Sequence, residues 1–331
     1  MNNFKIYDDW LPGASRQELY EFIGNGYFRI ARAQNGGHIG RGFQRTLVSN
    51  WSISDIIASG FFKNKLIIDW VLENNVRLFK TYVVLSTASD TYQYHTDSFT
   101  KGSYTGLYYA NLDWKPEWEG ETHFSDDSMQ DIVKSVSFVP GRLVLFDATI
   151  PHKSSQPGPM AEGYRLTLVM KFVCKDDVDY NSAIDIQDFI IDYNIPLTEK
   201  ERRAVEVVQS LTNNIPHSGT SLFNHLYNTM MLMKKYRCSE DACLAALCHS
   251  LYGTEYFNHK TIDRDQLVNL IGEKAERMVE VFCSPDRDRK IQESGNRELL
   301  YLLYANEVEL STRPGNHPEF SFFSQIKNQL K

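Results

Sequence analysis

The sequence predicts an α+β chain. A β-rich domain of the sandwich, barrel or jelly-roll kind occupies residues 1–190, and an all-α domain occupies residues 191–331. Three observations predict it. Between Tyr82 and Val173, short runs of β-branched and aromatic residues are separated by turn chemistry, a cadence of antiparallel strands rather than of strand and helix in alternation. After the acidic stretch Lys175-Asp176-Asp177-Val178-Asp179 the apolar residues recur at helix spacing instead. The length, 331 residues, exceeds one ordinary core, and a hydrophobic content of 42% can fill two.

In order, Asp8-Asp9-Trp10-Leu11-Pro12 reads as a turn. Ser15 is placed to cap a helix carrying Leu19, Phe22 and Ile23 on one face. The glycines of residues 36–42 suit a surface loop, because no strand–GxxxxGK–helix context surrounds them. Residues 54–57 and 65–79 read as short helices, and Tyr82-Val83-Val84-Leu85 opens the β-rich region. Strands are expected over residues 105–112, 133–139, 142–146 and 164–173, with Pro140-Gly141 as a turn between the second and third. In the helical half, Thr198 with Glu201 and Asp263 with Gln266 carry capping-box spacing. Leu222, Leu226, Met230 and Met233 recur at helix spacing, as do Leu244, Leu247, Cys248 and Leu251.

Composition excludes several classes. A net charge of −7 argues against a protein that coats nucleic acid, and no nucleic-acid partner is expected. No apolar run approaches the length of a membrane span, and the first residues lack a signal-peptide apolar region. Five cysteines, an odd number lying mostly in helical patterns, suit reduced thiols and a cytoplasmic location.

The chemistry concentrates between Tyr92 and Phe172. Of nine histidines only His95 has an aspartate, Asp97, two positions on. On an extended strand those two side chains point to one side and can aim at one point. His152, after the turn Phe146-Asp147-Ala148-Thr149-Ile150-Pro151, can supply a third ligand from a neighbouring strand. Two imidazoles and a carboxylate make the facial set that holds Fe(II) and leaves its other face open. Taken alone, an HxD pattern is more often an ordinary surface pair. Arg165 changes that balance. It lies among Leu166, Leu168, Val169 and Met170, where an unpaired guanidinium is costly, and a bound dicarboxylate would relieve the cost. Thr167 lies two residues on, on the same side.

These residues resemble the core of the prolyl-4-hydroxylase-type oxygenases that use Fe(II) and 2-oxoglutarate. The matching pieces are Tyr92-Gln93-Tyr94-His95-Thr96-Asp97, Leu107-Tyr108-Tyr109-Ala110-Asn111-Leu112-Asp113-Trp114, Gly120-Glu121-Thr122, and Val139-Pro140-Gly141-Arg142-Leu143-Val144-Leu145-Phe146. His152 and Arg165-Leu166-Thr167 complete them. The resemblance implies a double-stranded β-helix (jelly roll) with His95, Asp97 and His152 on iron. Arg165, Thr167 and Tyr108 would then hold the far carboxylate of 2-oxoglutarate. It implies hydroxylation by O2 with release of succinate and CO2, and the carboxylate of Asp97 speaks against halogenation. The substrate would be an amino acid, a peptide (prolyl among them) or a small metabolite. Tyr94, Trp114, Trp118 and His123 are candidates for the pocket mouth, each with barrel-wall packing as its plainer alternative. Two departures stand out: Glu119 where the family commonly has glycine, and Gln156-Pro157-Gly158-Pro159 lengthening the gap between His152 and Arg165.

The helical half is similar to the HD phosphohydrolases, but Ser250 stands where their metal-bridging aspartate would follow His249. His217, His225, His249 and Glu255 are candidates for a second metal or anion site there, and buried polar histidines in a helical bundle are the plainer alternative. Cys243, Cys248 and His249 fit no closed zinc pattern. A degenerate HD-like module would recognise substrate, cover the oxygenase mouth or form a homodimer. The rival functions are a nucleotide phosphohydrolase or sensor centred on this half, and a non-catalytic β-sandwich.

Overall fold

Among the described residues of the β-rich part, ten strands form two antiparallel sheets and three α-helices accompany them. In the computed structural model, which describes residues 4–32, 45–174, 186–253, 260–313, 326 and 329–330, the strands are β1 (Phe4–Tyr7), β2 (Arg29–Arg32), β3 (Arg45–Asn50), β4 (Val76–Ser86), β5 (Tyr104–Tyr109), β6 (Thr122–Ser125), β7 (Ile132–Val136), β8 (Leu143–Asp147), β9 (His152–Ser154) and β10 (Arg165–Cys174). The larger sheet has the order β1-β8-β5-β10-β4-β3-β2 and the smaller β7-β6-β9. Their facing sides share a core of Leu107, Tyr109, Val144, Phe146 and Val169 from the larger sheet with Phe124 and Val136 from the smaller. Trp114, Trp118 and Phe138 close it. The glycine loop over residues 36–42 lies outside the described residues.

The helices α1 (Gly13–Gly24), α2 (Ile53–Ala58) and α3 (Lys65–Glu73) precede the central strands. Trp70 of α3 and the neighbouring Phe61 pack on Tyr104, Phe172 and Tyr108, side chains on the opposite face of the larger sheet from the shared core. Two expectations change. Ser15 does not cap α1, which starts two residues earlier behind Pro12 with no side-chain cap. The helix expected over residues 65–79 stops at Glu73, and Val76 to Phe79 belong to β4. Asn75, at φ 50°, turns the chain there, a conformation that asparagine tolerates better than most residues. The turn at Pro140-Gly141 forms as expected, with Arg142 N–H donating to Val139 O and Gly141 at φ 81°.

The chain divides into two compact units, residues 1–186 and 187–331. The second contains α4 (Glu199–Thr212), the short pair β11 (Pro216–His217) and β12 (Thr220–Ser221), α5 (Leu222–Lys235), α6 (Glu240–Cys248), α7 (Arg264–Ile271), α8 (Glu273–Phe282), α9 (Arg287–Glu293) and α10 (Arg297–Ser311). Thr198 and Glu201 cap α4 reciprocally, Glu201 N–H to Thr198 Oγ1 at 3.1 Å and Thr198 N–H to Glu201 Oε2 at 2.7 Å. Among the described residues no helix is long and apolar enough to cross a membrane.

Candidate metal centre

His95 and His152 are brought opposite one another by a reciprocal backbone pair, His95 N–H to His152 O at 3.1 Å and His152 N–H to His95 O at 2.9 Å. Directly opposed residues of an antiparallel pair point to one side, which sets the two rings 4.6 Å apart. Asp97 is fixed by its own N–H on Ala148 O at 2.9 Å. One ligand atom from each of the three side chains lies within 4.8 Å of the others.

The proton positions follow from the backbone. His95 Nδ1 lies 3.0 Å from Gln93 O, and His152 Nδ1 lies 2.9 Å from Ile150 O. A carbonyl only accepts, so both Nδ1 atoms carry a proton and both Nε2 atoms are turned away from the backbone. Both Nε2 atoms face Asp97, with His95 Nε2 at 3.5 Å from Oδ1 and His152 Nε2 at 3.3 Å from Oδ2. Burial pushes the His152 pKa down against the pull of Asp97, which keeps the ring neutral. Burial pushes the Asp97 carboxyl up, but the Lys171 ammonium outweighs it and holds the group well below the usual carboxylate range. A carboxylate and two imidazole Nε2 atoms converging on one point fit Fe(II) by donor chemistry. The His95 side chain is 40% exposed against 6% for His152 and 8% for Asp97, so the centre is open on the His95 side.

The second half of the site lies on β10. Arg165 is 1% exposed. Its Nε donates to Gly120 O at 2.8 Å, Nη1 to Thr167 Oγ1 at 2.8 Å and Nη2 to Thr122 Oγ1 at 3.3 Å. The guanidinium carbon stands 4.8 Å from the Phe138 ring centre and 5.4 Å from that of Tyr109. No carboxylate among the described residues pairs with it. Burial pulls its pKa down, partly offset by Tyr109 and Tyr92. A buried cation whose hydrogen-bond partners are all neutral is left incompletely compensated.

Tyr108 is not part of this cluster. It pairs with Leu168 and points to the opposite face of the sheet, where its ring packs on Phe61 and burial raises its pKa to about 12. Tyr109, opposite Thr167, takes the place expected for Tyr108, and its hydroxyl donates to Thr122 Oγ1 at 2.8 Å. Adjacent strand residues face opposite ways, so one register position decides between the two tyrosines. Thr122 was missed as a site residue, although its period-two relation to Phe124 was visible in the sequence.

The expected pocket-mouth residues lie elsewhere. Trp114 and Trp118 belong to the core, Trp114 Nε1 donating to Glu119 O at 2.8 Å. His123 sits opposite Lys153 and Ser135, its Nδ1 3.0 Å from Ser135 Oγ, on the face of β6 away from Thr122 and Phe124. Tyr94 packs under the Lys153 ammonium, 4.8 Å from the ring centre, rather than beside the ligands.

In the helical unit, His225 and His249 meet with their Nε2 atoms 3.1 Å apart. His225 Nδ1 is 2.5 Å from Glu309 Oε2, and His249 Nδ1 is 2.7 Å from Ala246 O. The His217 ring centre lies 4.5 Å from that of His225. Glu309 also bonds Arg313 and takes Asn228 Nδ2 at 3.1 Å. Burial pushes His217 to about 4 and His225 to about 3, and holds His249 well below the usual range. His95, Asp97 and His152 are the one three-donor group among the described residues, so His217, His225 and His249 do not converge as a metal set, and Glu255 lies outside the described residues.

A family model described as a domain of unknown function, DUF6817, matches residues 207–287, within the helical unit. No curated protein matches the sequence. Solved structures similar to the chain include a prolyl-4-hydroxylase of Pseudomonas putida, 19% identical with a TM-score of 0.39, covering 52% of this chain and 93% of that one. A prolyl hydroxylase of Trichoplax adhaerens, in complex with a hypoxia inducible factor peptide fragment, is 18% identical with a TM-score of 0.40, covering 52% and 84%. HygX of Streptomyces hygroscopicus, with nickel and 2-oxoglutarate bound, is 13% identical with a TM-score of 0.38, covering 53% and 84%.

Proposed function

We propose that the chain is an Fe(II)- and 2-oxoglutarate-dependent dioxygenase of double-stranded β-helix type, which hydroxylates a C–H bond of an amino-acid, peptidyl or small-metabolite substrate. One observation carries this reading. Two imidazoles, aimed by Nδ1–H bonds to backbone carbonyls, meet an ionised aspartate that is bonded to the inner face of the larger sheet, the face that also holds a buried arginine with no carboxylate partner among the described residues. His95, Asp97 and His152 would hold the metal. Arg165 and Thr167, steadied by Thr122 and Tyr109, would hold the far carboxylate of 2-oxoglutarate by charge-assisted bonds. Iron and 2-oxoglutarate would together supply the oxidation: O2 gives one oxygen atom to the substrate and one to succinate, with CO2 released. The chain's own residues set orientation. The backbone pair at His95 and His152 fixes two ligands against each other, and the exposed edge of His95 leaves a way in for substrate.

The test is an anaerobic titration of the full chain with Fe(II) and 2-oxoglutarate. A visible metal-to-ligand charge-transfer band is expected, and Asp97→Ala should weaken metal binding by at least about 100-fold and abolish succinate formation. Absence of the band in the wild type, or full turnover by Asp97→Ala, overturns the reading.

A further inference from the structure

Lys171 has no part in the reading above, yet it sits inside the same site. On β10 it shares the inner face with Arg165, Thr167 and Val169, at the far end of that row. Its side chain is 16% exposed and its ammonium touches Asp97 Oδ2. Thr105, directly opposite on β5, gives its hydroxyl to the same Oδ2 at 2.5 Å and lies 3.5 Å from the ammonium. One carboxylate oxygen is therefore committed to two protein donors. Among the described residues the other, Oδ1, has only His95 Nε2 near it, at 3.5 Å. Asp97 is thus held with Oδ2 clamped, 3.3 Å from His152 Nε2, and with Oδ1 left to the His95 side.

The lysine also alters the charge of the centre. A divalent ion on two neutral imidazoles and one carboxylate retains one uncompensated positive charge. Lys171 cancels the carboxylate, so the same ion brings two. Extra positive charge at close range opposes the metal and favours an anion.

We propose that Lys171 is a charge-setting, positioning residue of the centre: it weakens the bare metal and strengthens the hold on the oxo-acid carboxylate that the metal would take up. This rests on the function proposed above. Thr105 still holds Oδ2 when Lys171 is replaced, so the change in charge governs the outcome. Removing the ammonium then moves two affinities in opposite directions, which a packing role does not do.

The experiment uses the full chain with Mn(II), which binds hard oxygen and nitrogen donors without oxidising. Free Mn(II) is followed by electron paramagnetic resonance, and 2-oxoglutarate binding to the Mn(II)-loaded protein by calorimetry. Lys171→Met and Lys171→Gln should each bind Mn(II) about tenfold more tightly and 2-oxoglutarate about tenfold more weakly than wild type, while Lys171→Arg stays close to wild type on both. Parallel losses of both affinities in Met and Gln, or no change in either, overturn the proposal. Should Lys171→Met and Lys171→Gln unfold without metal, refolding by Mn(II) supports charge replacement, and failure to refold with Mn(II) present overturns it. A wild type that does not bind Mn(II) sinks the functional reading itself. A wild type that binds both ligands beside unmoved variants sinks only the role of Lys171.

Discussion

Arg165 shows what one residue costs and what that cost implies. Its guanidinium is taken out of water and receives only neutral acceptors and ring faces in return. Replacing a buried, incompletely compensated charge by an apolar side chain of similar length is often neutral or stabilising. Arg165→Met should therefore keep its thermal midpoint within a few degrees of wild type, or raise it, in a melting curve. The same variant should weaken 2-oxoglutarate at least about 30-fold, because a buried charge-assisted contact is lost. A large loss of stability with unchanged affinity would make Arg165 a structural residue. The two tyrosines give a sharper contrast. Tyr108→Phe should leave 2-oxoglutarate affinity unchanged, since its ring lies across the sheet on Phe61. Tyr109→Phe removes one of the two donors to Thr122 Oγ1, leaving Arg165 Nη2, and should cost about tenfold in the same titration.

Among the elements, the turn leading into β6 carries visible strain. Glu119 follows a short 3₁₀ turn over Pro116–Trp118 and adopts φ 57°, ψ −143°, a region kept almost entirely for glycine. Its carbonyl is tied to Trp114 Nε1 and its N–H to Pro116 O, so neighbours impose the conformation. Gly120, at φ 89°, follows directly, and a Cβ there would lie 3.2 Å from Arg165 Cδ. The departure noticed in the sequence, a glutamate where glycine is common, is therefore a departure in energy as well. Glu119→Gly should stabilise the chain by about 1 kcal/mol, read as a shift of the urea midpoint at constant slope. A destabilised variant would mean that the side chain, packed beside Gly158, contributes more than the backbone loses. The β4 boundary teaches a related point. Val71, Leu72, Val76 and Phe79 suit a helix by spacing, but Asn74 and Asn75 break it, and Val76 onward pairs with β10. A long-range sheet contact overrode a local periodicity.

At the scale of the whole molecule, the polar heart of residues 187–331 links stability to pH. His225 is folded into a site that holds its pKa near 3, against about 6.5 in the unfolded chain, and burial also holds His249 well below that value. Between those values the unfolded state binds more protons, so this part of the stability is complete above about pH 6.5 and is lost as pH falls toward the folded pKa. Each such histidine removes about 1.4 kcal/mol per pH unit over that window. Melting curves at pH 7.5 and 5.5 should show a clear destabilisation, and His225→Gln should flatten the dependence by about one proton. Identical melts at the two pH values would place a charge on this cluster already at neutral pH.

The sequence by itself determined the parts of the site that depend on local geometry. Period two puts His95 with Asp97 and Arg165 with Thr167 on common faces, and turn chemistry at Pro140-Gly141 separates two of the strands. Only the tertiary structure decided which tyrosine meets Arg165, that Thr122 and Thr105 join the cluster, that Lys171 reaches Asp97, and that Tyr94, Trp114 and His123 do not face the ligands. Those relations depend on cross-strand register: Lys171 against Thr105, Leu168 against Tyr108 and His95 against His152 are pairings between residues far apart in sequence. A one-residue slip would turn every one of these side chains to the other face. Register is set by burying the apolar face of the whole sheet, a sum over strands that no single stretch of sequence contains.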